Sequence, residues 1–130
     1  MRDVREALEA LKDLTGLPQL SFDAKGRAEI VAQEALAVYL VRVSDTVMEI
    51  AAHVAGDRRQ PTDDELRHLL RANADCGDGD ARFALDIAGA PFLCQRVDVT
   101  STGPGDLDRV LLDFIRLVSR LRQGEKGRQP

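Results

Sequence analysis

Few residues in this 130-residue chain could do chemistry, and their spacing argues against most of it. The run Asp75-Cys76-Gly77-Asp78-Gly79-Asp80 alternates acidic oxygens with glycine, as calcium loops do. It lacks EF-hand spacing and has no glutamate at the twelfth position, so a solvated acidic turn is the expected reading. His53 and His68 are the only histidines, and Cys76 and Cys94 the only cysteines. Zinc sites draw three or four ligands from motifs such as HxxxH or CxxC, and neither occurs. Cys94 alternates with Phe92 in a strand-like segment, as a structural thiol does. Ser21, Ser44, Ser101 and Ser119 stand in no nucleophile-elbow context. Gly103-Pro104-Gly105 is followed by no lysine at phosphate-loop spacing. The expectation is a chain without catalytic residues, metal or cofactor, and so a binding protein rather than an enzyme.

The elements that would position a binding surface are clearer. Asp3 and Glu6 form a capping-box pattern ahead of Val4, Leu8, Leu11 and Leu14, which predicts a helix over 3–15 stopped by Gly16 and Pro18. Leu20 to Val54 alternates in strand fashion, with turns at Asp23–Gly26 and Ser44–Asp45. It predicts a short strand at Leu20–Phe22, then strands over 27–33, 37–43 and 46–54. Val38 to Val43 is apolar on both faces, as a central strand would be. Thr62 and Glu65 make a second capping box before Leu66, Leu69 and Leu70, a helix ending near Ala74. Strands over 82–87 and 91–99 flank Gly89 as a hairpin, and Asp106 opens a last helix. The fold class is α+β, in the order α-β-β-β-α-β-β-α, with a mostly antiparallel twisted sheet and helices packed on it. The first short strand merges into a hairpin arm in this reading.

Length predicts one domain, 1–122, followed by a polar flexible tail, 123–130. A net charge of −4 argues against nucleic acid and against adhesion to an anionic membrane. No apolar run reaches the roughly 20 residues of a membrane span. Met1-Arg2-Asp3 leads directly into a charged helix, so no export signal is expected, and two cysteines make no disulfide framework. A bacterial cytoplasm is the expected location. Three helices are too few to cover both faces of such a sheet, and Leu112, Ile115 and Val118 add apolar surface beyond one small core. Part of that surface must meet another chain.

The chain resembles the class I chaperones of type III secretion, the Tir-chaperone-like family. The resemblance runs from Arg2 to about Arg122. It rests on LxFDxxGxxxIV over Leu20–Val31, AVYLVRV and the strand that follows to Gly56, PTDDELRHLLRAN over Pro61–Asn73, ARFALD over Ala81–Asp86, and a final amphipathic helix. LLRAN ahead of a polar loop and FALD is the most characteristic piece.

The resemblance implies a homodimer that binds the N-terminal segment of a secreted effector in extended form and keeps it export-competent, without hydrolysis or ATP use. The secretion ATPase is a further candidate partner. It implies a two-fold contact through Leu66, Leu69, Leu70, Phe83, Leu85 and Ile87. It implies effector binding by the first helix and the strands after it, at Val4, Leu8, Leu20, Phe22, Val38, Leu40 and Val47. Two other readings stay open: a stand-alone regulatory module of the same fold, and a small-ligand protein or enzyme.

Overall fold

The structure, a computed structural model, describes residues 1–32, 36–55, 59–76 and 81–128, with side chains through 122. The elements are α1 (Val4–Thr15), β1 (Arg27–Val31), β2 (Ala37–Arg42), β3 (Val47–His53), α2 (Asp63–Ala74), β4 (Arg82–Leu85), β5 (Pro91–Asp98) and α3 (Pro104–Arg128), with a 3-10 turn at Val99–Ser101 before α3. The strands form one five-stranded sheet in the order β1-β2-β3-β5-β4, and every pairing is antiparallel. The α+β architecture and its order agree with the sequence reading.

Local chemistry explains most boundaries. The Asp3 carboxylate accepts from the Glu6 N–H and starts α1. Glu6 reaches the Arg2 N–H rather than that of the cap residue, so this box closes one residue early. At α2 the box is complete: Thr62 accepts from Glu65 N–H and Glu65 accepts from Thr62 N–H. Gly26, at φ 74°, turns the chain into β1, a backbone that side chains beyond glycine rarely adopt. Pro104 begins α3 two residues before Asp106, where a fixed φ suits the first turn. The polar stretch from Gln123 stays helical in its backbone to Arg128.

Two strand expectations need correction. Leu20–Phe22 is not a strand. Leu20 N–H closes a turn onto Leu17 O, and Asp23 folds back on Arg27 through its backbone N–H and its carboxylate. The chain there is an irregular segment that drops Leu20 into the core. β4 ends at Leu85, because Asp86 starts the turn to β5: its backbone and carboxylate take bonds from Gly89 and Ala90. Gln33, Gly56, Asp57 and Arg58, and the calcium candidates Asp78 and Asp80, lie outside the described residues.

α1 and α3 cover one face of the sheet. Leu8 and Leu11 of α1 and Leu107, Phe114 and Val118 of α3 share a buried cluster with Ile30, Leu40, Met48, Ile50 and Leu93. No charged or polar residue is buried among the described residues, so the cluster holds by apolar burial alone. Among the described residues, no helix covers the opposite face in this way.

Candidate binding surfaces

The side chains expected to hold a partner divide between core and surface. Val4, Leu8, Leu20, Val38 and Leu40 are core residues, the last two with no exposure at all. They are buried in the single chain, so of the residues expected at the partner surface only Phe22 and Val47 reach its exterior. The reason is strand alternation. β2 buries Val38 and Leu40 under the helices, so Tyr39 and Val41 point the other way. Apolar residues on both faces of β2 concealed which face was which. Phe22 and Val47 remain half-buried. Phe22 lines a cleft of about 420 Å³ with Arg2, Arg5, Arg42 and Asp45.

The face away from the helices is a continuous surface. Register sets Arg27, Val41, Glu49 and Arg96 in one cross-strand row and Glu29, Tyr39, Ala51, Cys94 and Arg82 in the next. Tyr39, Val41, Ala51, His53 and Phe92 line an open hollow of about 340 Å³, rimmed by Arg27, Glu49 and Asp86. The rim is polar and partly self-paired: Arg96 Nε lies 3.3 Å from Glu49 Oε2. An apolar floor with a charged rim suits apolar side chains of a partner peptide. Cys94, on this face, has its thiol pKa pushed up by burial and then by the Glu49 charge, which disfavours the reactive thiolate.

One end of the hollow is held by a polar clasp. His53 Nε2 lies 2.9 Å from Asp86 Oδ2, and Asp86 Oδ1 accepts from Ala90 N–H. Phe92 packs edge-on against the His53 ring. Arg122 of α3 donates to the His53 carbonyl, tying β3 to the helix. The bond from His53, then that from Ala90, hold the Asp86 carboxyl below its usual range. A lowered folded-state value means that the stability Asp86 contributes is present above the ordinary carboxylate range, near about 4, and is lost as pH falls below it. Asp86→Asn is therefore expected to flatten the acid limb of a plot of melting temperature against pH. An unchanged acid limb would show that the clasp contributes nothing.

A second surface is formed by α2 and β4. No residue of α2 is buried, although Leu66, Leu69 and Leu70 run along it. Leu66, Leu69 and Phe83 are half-buried. Leu70 is 60% exposed, Leu85 45% and Ile87 fully exposed. α2 stands beside β4 at the end of the sheet, so these six residues share one end of the molecule.

The third surface is the free edge of β1. Ala28 and Ile30 face β2, as the bonds of Gly26 to Arg42 and Ala32 to Leu36 on either side require. Arg27, Glu29 and Val31 therefore turn their backbone groups outward. The turn residue Asp23 takes up both groups of Arg27. Glu29 and Val31 have no backbone partner among the described residues, and Val31 is 64% exposed. These two residues, and Tyr39, Val41, Ala51 and Phe92 on the open face, were absent from the sequence-based site; strand parity held the signal once one face was known.

Among the described residues no group of three His, Cys, Asp or Glu side chains is placed to hold a metal ion. No described helix is long and apolar enough to cross a membrane.

Comparisons with known proteins follow the same outline. The sequence profile of the Tir chaperone protein (CesT) family matches residues 6–122. No curated protein matches the chain. Among solved structures, the chain is similar to one in the Yersinia pestis type III secretion chaperone SycH in complex with a stable fragment of YscM2, at 19% identity and a TM-score of 0.70, covering 89% of this chain and 97% of that one. It is similar to one in the ExsC–ExsE complex at 20% identity and a TM-score of 0.77, covering 92% and 91%. It is also similar to one in the HopA1–SchA chaperone–effector complex at 14% identity and a TM-score of 0.72, covering 92% and 93%. At these identities the likeness is one of fold.

Proposed function

This chain belongs to the Tir chaperone protein (CesT) family, and we propose that it is a homodimeric cytoplasmic chaperone of type III secretion that holds the N-terminal segment of a secreted effector in extended form. It performs no catalysis in this reading. The observation that carries it is a sheet covered on one face by the described helices, with an apolar hollow on the other and two successive outward-facing residues, Glu29 and Val31, on β1. An extended segment can pair its backbone with Glu29 and Val31 and lay alternate side chains toward the open face. Solved relatives of this fold are described as chaperones held with a partner fragment or an effector, which supports the same use here.

Affinity purification from the native cell is expected to bring down one dominant secreted protein, whose N-terminal segment becomes resistant to limited proteolysis in the complex. Val31→Pro tests the strand contact. Its N–H points away from β2, so proline there removes a group the partner needs and none that the sheet uses. Losing this bond and its neighbour's geometry is expected to weaken binding about tenfold, since about 1.4 kcal/mol is tenfold and a hydrogen bond nets about 1 kcal/mol. Binding at wild-type strength by a folded Val31→Pro variant would remove β1 from the partner surface.

A further inference from the structure

The two edges of the sheet are not equivalent. At β4, as at β1, alternate residues face outward. Asp86 pairs with Ala90 across the hairpin, so Ala84 faces β5 while Ala81, Phe83 and Leu85 face away from it. An uncovered row of this kind is a template for any other strand. Here the end of α2 covers it. Asn73 Nδ2 donates to Phe83 O at 2.8 Å, and Phe83 N–H donates to Asn73 Oδ1 at 2.8 Å. One side-chain amide thus makes both bonds that a neighbouring strand would make. Cys76 Sγ lies 3.3 Å from Ala81 O and occupies the next outward acceptor. Leu85 has no partner for its outward groups among the described residues.

We propose that Asn73 seals the β4 edge against strand pairing and so decides which edge of the sheet can take up another chain. The chemistry selects asparagine. Its amide copies the peptide group, donor and acceptor together, at a length that reaches from the helix to the strand. Aspartate can accept and cannot donate; leucine has similar bulk and can do neither. Asparagine is also a poor helix former, so its place in the last turn of α2 is explained by this contact rather than by the helix. With β4 sealed, Glu29 and Val31 on β1 are the longer open edge, and an extended segment is directed there. That last step rests on the chaperone reading above; the sealing of β4 does not.

The test uses the full chain without any partner protein. In Asn73→Leu, hydrogen exchange at the Phe83 amide is expected to speed up by about tenfold or more, because its bond partner is gone. In the Leu70→Glu/Ile87→Glu background, which removes exposed side chains of the two-fold contact assigned to this end, sedimentation of Asn73→Leu is expected to show species larger than the same background with Asn73 intact, formed by β4 pairing with β4 of a second copy. Adding Leu85→Pro in that background, which blocks the edge, should restore the size seen with Asn73 intact, whereas adding Val31→Pro should not. Asn73→Asp provides the size reading alone if the leucine variant melts without a cooperative transition, since its carboxylate still accepts from Phe83 N–H and leaves Phe83 O open. An unchanged size in that background together with a Phe83 amide exchanging within about twofold of wild type overturns the proposal. So does larger species whose formation is blocked by Val31→Pro. Neither outcome bears on whether a secreted protein binds, which the purification experiment decides separately.

Discussion

Replacing Leu70 and Ile87 together by glutamate is expected to turn a dimer into a monomer. The wild-type protein should have about twice the 14.3 kDa chain mass by light scattering, and the double variant the single mass. Leu70 is 60% exposed and Ile87 wholly so in the single chain, on a helix and a turn beside β4. Charge there costs the folded monomer little, because water already reaches both sites. In a two-fold contact each residue is buried twice. Four such side chains at about 1.5–3 kcal/mol each amount to about 6 kcal/mol or more, or roughly four orders of magnitude in dissociation constant. Leu112→Glu is the control: that residue is also exposed, at 43%, but lies on α3, which packs against α1 and β3. A double variant that keeps the wild-type mass would place the two-fold contact elsewhere. A wild-type monomer would remove it altogether.

The helices and the order of elements along the chain were legible because each depends on local chemistry. Thr62 and Glu65 announce α2 by a reciprocal cap that the structure reproduces bond for bond. Val4, Leu8 and Leu11 announce a one-sided helix, and all three are buried. The segment Leu20–Phe22 was misread because alternation over three residues also describes an extended turn. What distinguishes the two is where Asp23 bonds, and that is a contact with Arg27. The face of β2 was illegible for a different reason. Ala37 to Val41 is apolar at every position, so period-two reasoning assigns no face. Only the packing of α1 and α3 settles it, and those are contacts between residues far apart in the chain. Asn73 shows the same limit. LLRAN reads from sequence as the end of a helix, while the role of its last residue depends on β4 lying beside it.

The opposite facing of Leu40 and Val41 makes two adjacent positions on β2 diagnose the partner surface. Leu40 has no exposure and packs under the helices. Leu40→Asp places an unpaired carboxylate in a core without buried polar groups, where the cost exceeds about 4 kcal/mol, against a total stability of about 5–15 kcal/mol. It is expected to lower the melting temperature sharply or abolish folding, so any loss of binding in it reports on the core. Val41, the next residue, lies half-buried over the hollow on the opposite face, between Arg27 and Glu49. Val41→Asp can be hydrated there and should leave the melting temperature close to wild type. If a partner side chain fills the hollow, the same substitution removes about 1.5–3 kcal/mol of apolar contact and weakens binding of the effector segment by about tenfold or more. Pull-down of that segment by a folded Val41→Asp variant at wild-type strength would exclude the open face. A folded Leu40→Asp variant with binding lost would show that the two faces have been assigned the wrong way round.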